Sequence, residues 1–260
     1  MTAWELAQAA GGSFLLRIED IDATRCRPEF EAAIYDDLAW HGLAWPEPVL
    51  RQSEHRNRYA AALDRVAALG VTYPCRCTRA EIRAALSAPQ EGVAGPAAYP
   101  GTCRGRAMAD AGPGDAIRLD LARALALAGP LGFTESGPLH PGRHAVDAAT
   151  LAATGDPVLA RRDIGTAYHL AVVVDDAHQG VTHVVRGADL WEATPLHRLL
   201  QAVLGLTEPV WHHHRLVRDE AGRRLAKRDD DRAIATLRRA GLGPDAVIAE
   251  VARMSASETG

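Results

Sequence analysis

Lys227 is the only lysine among 29 lysines and arginines, and it stands in the run Arg223-Arg224-Leu225-Ala226-Lys227-Arg228-Asp229-Asp230. Where every other basic site carries arginine, a retained lysine marks a place that needs a compact, mobile ammonium and not a rigid guanidinium fork. Phosphate chemistry has that need, because lysine meets a reacting phosphoryl group as a flexible point charge. The competing reading is a solvated basic turn, since most charge runs are wet surface.

Two further places carry charge at the edge of an apolar run. Phe14-Leu15-Leu16-Arg17-Ile18 leads into Glu19-Asp20, and His183-Val184-Val185 leads into Arg186 and Asp189. Ligands of open parallel sheets bind beyond the carboxyl ends of the strands, so an anion and a cation there suit the ammonium and carboxylate of an amino acid. Alternatively, each charge marks only the point where a strand leaves the core.

Cys75-x-Cys77 followed by Tyr99-x-x-x-Cys103 offers three thiols and a phenol within 29 residues, enough donors for a tetrahedral zinc site. Reduced buried thiols beside a loop tyrosine fit the spacing too. Cys26 has no cysteine near it and reads as an ordinary half-buried residue. His212-His213-His214 falls on an expected strand, where neighbouring side chains alternate faces and three in a row cannot converge on one ion. A solvated or nucleic-acid-facing strand is the expectation there.

The elements that must position these groups follow from periodicity. Helices are expected at Thr2 to Ala10, at Pro28 to Trp40 with Phe30, Ile34 and Leu38 on one face, and at Ser53 to Leu69 with Tyr59, Leu63 and Val66 on one face. Strands are expected at Phe14 to Ile18, Ala116 to Leu121, Ala167 to Val174, Thr182 to Val185 and Val210 to Val217, with a loop-rich stretch from Gly129 to Gly142. Leu190 to Leu204, Asp230 to Ala240 and Asp245 to Met254 read as helices. The pattern is α/β. Its expected divisions are a first core part over 1–71, a Pro-, Gly- and Cys-bearing insertion over 72–155, a second core part over 156–209, and a basic loop with a helical C-terminal part over 210–260.

Composition limits the classes open to the chain. A length of 260 residues with 47% hydrophobic content supports a sizeable core. The net charge of −4 excludes a globally basic nucleic-acid binder, and any such surface must be local, as in the Arg-rich stretch from Arg215 to Arg239. No run reaches the ~18 apolar residues of a membrane span, and the N-terminus lacks a signal-peptide pattern, so a cytoplasmic location without a membrane partner is expected.

Taken in order, the segments F-L-L-R-I-E-D-I-D (14–22), C-R-C-T-R (75–79), Y-P-G-T-C-R (99–104), A-Y-H-L-A-V-V-V-D-D (167–176), T-H-V-V-R-G-A-D-L (182–190) and R-L-A-K-R (224–228) resemble the class I glutamyl-tRNA synthetases. They are most similar to the short paralogues that glutamylate queuosine in tRNA(Asp). The resemblance runs from Met1 to about Leu242. It implies a Rossmann-type parallel sheet core, an inserted zinc-bearing subdomain and a helical C-terminal part without an anticodon-binding domain. It further implies ATP with Mg2+ as co-substrate, glutamate as the amino acid, queuosine-bearing tRNA(Asp) as the acceptor, and a monomer. Lys227 then falls on the mobile K-M-S-K-S-like loop at the ATP phosphates as the catalytic and ATP-binding residue, with Arg224 beside it. Glu19, Tyr168 and Arg186 fall on the glutamate-binding positions, and Cys75, Cys77, Tyr99 and Cys103 on the zinc ligands.

Val172 stands where the full-length enzymes tend to carry Asn, which favours the short paralogues. The family's R-F-A-P-S-P-T-G-like and H-I-G-H segments, expected upstream of Thr2-Ala3-Trp4, are not in the sequence. A start codon further upstream in the same frame is the expectation, with an inactive truncated relative as the alternative. A non-catalytic zinc-containing tRNA-binding relative and a fragment of a glutamyl-tRNA synthetase are the other readings.

Overall fold

The computed structural model describes residues 1–22, 26–78, 80–82, 99–161, 165–218 and 234–256. Helix α1 (Thr2–Ala9) precedes a short strand β1 (Arg17–Ile18), which pairs in parallel with β2 (Leu50–Arg51). Only the last two residues of the expected Phe14 to Ile18 strand are laddered. Between them, α2 (Pro28–Trp40) opens with Pro28 in its first turn and Glu29 and Glu31 beside the positive end of its dipole. It closes on Gly42 at φ 73°, a left-handed turn that a side chain would oppose. Its expected apolar face is not buried: Phe30 and Ile34 are 58% and 41% exposed.

Helix α3 (Arg56–Ala68) follows a single 3-10 turn and buries Tyr59, Ala62 and Val66, spaced to fall on one face. An antiparallel sheet has the order β3 (Thr72–Cys75), β4 (Ala116–Leu119), β7 (Val158–Arg161) and β8 (Gly165–Thr166). The second sheet runs β6 (Gly142–Val146), β5 (Leu131–Glu135), β10 (Val210–His214) and β9 (His183–Gly187). There β5 and β9 flank β10 in parallel and β6 closes the edge in antiparallel sense. The expected loop from Gly129 to Gly142 therefore contains a core strand. The sheets also interleave in sequence, with β5 and β6 lying inside 72–155 while β7 and β8 lie after it.

A further expectation is overturned. Ala167 to Val174 is no strand but the body of a helix, here α6 (Tyr168–His178), after α4 (Leu121–Ala128) and α5 (Ala148–Leu151). Its residues Leu170 to Asp175 are all buried, packed against α3 and against α7 (Thr194–Leu204). A short apolar run buried on several sides has no visible period, and tertiary packing outweighs the β preference of three consecutive valines. Gly180 ends the helix at φ 65°, with the Val181 N–H returning to the Asp176 carbonyl at 2.8 Å.

The main core joins Tyr59 and Val66 of α3, Leu170 and Val173 of α6, Leu196, Leu199 and Leu200 of α7, and Phe133 and Trp211 of the parallel strands. A second, small cluster holds Tyr73, Cys75, Tyr99 and Cys103. Helices α8 (Ile234–Arg239) and α9 (Pro244–Ala256) form the described C-terminal part. No described helix is long and apolar enough to cross a membrane.

Candidate active site and cysteine cluster

Charged side chains from β1, α6 and β9 gather along one side of α6. Arg17 of β1 bonds the Asp176 carboxylate at 2.8 Å and the Glu19 carboxylate at 3.2 Å. Burial pushes both carboxyls above their ordinary range, against the pull of Arg17. Two carboxylates sharing one guanidinium, each raised, make a place that a further cation relieves.

Tyr168, Val172 and Asp176 recur at i, i+4 and i+8 and so share one stripe of α6. The Tyr168 ring lies at its N-terminal end, 37% exposed. Desolvation raises the phenol, Glu19 raises it further, and Arg186 opposes. The two charges come from separate parts of the fold, Glu19 just past β1 and Arg186 within β9 of the other sheet. Arg186 lies within β9, paired with His213 of β10, and not beyond the strand's end as expected.

Arg186 donates from Nε to His213 Nε2 at 3.1 Å, and from its terminal nitrogens to His197 Nδ1 at 2.9 Å and Thr194 Oγ1 at 2.8 Å. Glu135 of β5 accepts the His213 ring at 2.6 Å, and His197 meets His169 at 3.0 Å. Burial holds His197 well below the ordinary imidazole value, which keeps it neutral beside the guanidinium.

Sequence reasoning missed Arg17, Asp176, Glu135, Thr194, His197 and His213. Only Asp176 had a visible signal, its place one turn after Val172 had the run been read as helical. The alternation along His212 to His214 is as expected, but its buried member, His213, joins the site instead of the solvent. Lys227 and Arg224 lie outside the described residues.

The sulfurs of Cys75, Cys77 and Cys103 lie within 4.8 Å of one another, and the Tyr99 hydroxyl is 3.4 and 3.6 Å from Cys75 and Cys77. Sulfurs bound at ~2.3 Å around a tetrahedral zinc stand ~3.8 Å apart, so the donor set fits that ion. Desolvation pushes the Cys77 thiol up to about 11. At Cys103 desolvation is outweighed by hydrogen bonds from the Arg76 backbone, Tyr99 and the other two cysteines, which bring its thiol down to about 7. Arg118 lies 3.7 Å from the centre of the Tyr99 ring and fixes its plane.

A largely parallel sheet with charged side chains gathered along α6, beside a separate thiol cluster, fits a catalytic domain of the class I synthetase type. The family described as tRNA synthetases class I (E and Q), catalytic domain, matches residues 1–108 and 144–260. A glutamyl-Q tRNA(Asp) synthetase of Rhodobacter capsulatus is 52% identical over 249 residues, covering 93% of this chain and 88% of its own length. One from Nocardia farcinica is 43% identical, covering 96% and 76%. The glutamate-tRNA synthetase structure from Elizabethkingia anophelis superposes with a TM-score of 0.75 at 27% identity, covering 96% of this chain, which spans 56% of that one. The chain belongs to the class I tRNA synthetases of the glutamate and glutamine group and, within it, to the glutamyl-Q tRNA(Asp) synthetase family.

Proposed function

We propose that the chain activates glutamate with ATP and transfers the glutamyl group to queuosine in tRNA(Asp). The observation that carries this reading is the charge arrangement along α6: Arg17 joins Glu19 to Asp176, while at the Tyr168 end the His197 ring, 5.9 Å from the Tyr168 ring, bonds Arg186 at 2.9 Å. Glu19, with Asp176 near it, takes the substrate ammonium. Arg186 takes a substrate carboxylate through N–H groups its protein partners leave over.

In the first step an α-carboxylate oxygen of glutamate attacks the α-phosphorus of ATP. The phosphorus–oxygen bond to pyrophosphate breaks and the glutamyl-adenylate forms. Transfer to queuosine then releases AMP. The protein's contribution is placement of the reacting groups and stabilisation of charge on the departing pyrophosphate, a task the lone Lys227 suits. Mg2+ accompanies the nucleotide as its counter-ion. Cys75, Cys77, Cys103 and Tyr99 hold zinc, which supplies structural cross-linking of the segment around β3.

The test is glutamate-dependent ATP–pyrophosphate exchange, run on the protein with any in-frame residues encoded upstream of Met1, followed by charging of queuosine-bearing tRNA(Asp). Exchange that is lost in Arg186→Ala and Lys227→Ala, with acceptance of tRNA(Asp) and not tRNA(Glu), supports the reading. Exchange with another amino acid, or none with glutamate, overturns it.

A further inference from the structure

The partners of Arg186 are unusual for a partly buried cation. Among the described residues its hydrogen bonds go to His213, His197 and Thr194, with the Tyr168 phenol also beside it, and none goes to a carboxylate. A guanidinium can only donate, so His213 Nε2 and His197 Nδ1 must both present lone pairs. For His213 that puts the proton on Nδ1, and there Glu135 Oε2 accepts it at 2.6 Å. The other oxygen, Oε1, accepts two backbone N–H groups, from Gly137 at 2.6 Å and from His213 itself at 2.9 Å. Residue 137 has to be glycine for this approach, because a Cβ there would stand 2.5 Å from Glu135 Oε1 and 2.6 Å from the His213 carbonyl oxygen.

We infer that Glu135 and His213 are positioning residues for Arg186: the carboxylate fixes the imidazole tautomer, and the imidazole holds the guanidinium without neutralising it. A glutamate bonded directly to Arg186 would compete with a carboxylate ligand for the same donors. One neutral ring between them keeps the anion's orienting effect and leaves the cation's charge to the ligand. Thr194 and His197 complete the same cradle from α7. The inference rests on the reading of Arg186 as the site for a glutamate carboxylate.

Glu135→Gln tests it with an isosteric change. The two backbone donors hold the amide oxygen at the Oε1 position, so the amide nitrogen occupies Oε2 and donates to Nδ1. The ring proton then has to move to Nε2, where it meets the Arg186 N–H. The expected results are a switch of His213 from Nδ1–H to Nε2–H in nitrogen-15 NMR of the histidine rings, and a rise of about tenfold or more in the Kd for L-glutamate by calorimetry. His213→Gln, whose side-chain oxygen reaches the Nε2 position, should bind glutamate nearly as the parent does. His213→Asn keeps a donor toward Glu135 but offers Arg186 nothing, and should bind about as weakly as Glu135→Gln.

A tautomer switch without loss of affinity overturns the inference, as does equal binding by the two His213 variants. Should Glu135→Gln fail to fold, the His213 pair decides alone. Arg186→Ala separates the two levels. If it leaves the Kd unchanged, the glutamate reading falls and the inference with it; if it weakens binding while Glu135→Gln does not, only the positioning role falls.

Discussion

The Tyr59 hydroxyl lies 2.8 and 3.0 Å from the two carboxylate oxygens of Asp175, one residue before Asp176. Both residues of the first pair are completely buried, and Gln52 adds a bond to the same carboxylate at 2.8 Å. Adjacent acids on α6, about 100° apart around the helix, thus meet different neighbours: Asp175 ties the helix to α3, and Asp176 bonds Arg17 of β1. Tyr59→Phe removes one hydrogen bond to a charged group, and urea denaturation is expected to show a loss of about 1.5–3 kcal/mol. Glutamate affinity at a temperature where the variant is folded should hardly change.

Asp156 fastens the cysteine cluster to the rest of the fold. Its carboxylate accepts from Tyr73 at 2.6 Å, from Arg104 at 2.8 Å and from the Leu121 N–H at the start of α4 at 3.1 Å. Asp156→Ala leaves the buried Tyr73 hydroxyl and Leu121 N–H unmatched, with an expected cost on the order of 3 kcal/mol by chemical denaturation.

Arg186→Lys keeps the charge but loses the planar fork and two of the three cradle bonds. Glutamate Kd is expected to rise roughly 10- to 100-fold, which calorimetry reads directly.

Glutamate binding should weaken as pH falls. Desolvation, their largest influence, raises Glu19 and Asp176 above the ordinary carboxylate range against the pull of Arg17. The ammonium needs them ionised, so affinity is full above their raised values and is lost as pH drops through them, and binding releases protons in that window. Glutamate titrations in buffers of different ionisation enthalpy measure the release; protons taken up instead would contradict it.

Zinc binding follows the same sign. Thiolates are the ligands, and with desolvation pushing the Cys77 thiol up to about 11 and hydrogen bonds bringing Cys103 down to about 7, metal entry expels protons and apparent affinity falls as pH drops below about 11, more steeply below about 7. Cys75→Ser or Cys103→Ser should lower the zinc content measured by elemental analysis, and chelation should lower the melting temperature of the parent protein only.

Much of this was legible from neighbours in the chain. The helix over Pro28–Trp40 announces itself by its proline and acidic first turn, β10 by its alternation, and the thiol cluster by its spacing, because caps, pleats and paired ligands are short-range properties. Where a feature depends on what packs around it, that legibility ends. The residues 167–174 carry strand-forming valines and yet form α6, since burial against α3 and α7 erases the polar period that would have marked a helix. Glu19, Tyr168 and Arg186 could be picked out one at a time by charge and resemblance; that Arg17 ties Glu19 to Asp176 of α6, while Arg186 bonds His197 beside the Tyr168 ring, was decided by tertiary packing. His213 shows the limit most clearly, since parallel pairing of β10 with β9 and β5 is what sets its ring between Glu135 and Arg186, and residues 78 and 27 positions away leave no trace in its own neighbourhood of the chain.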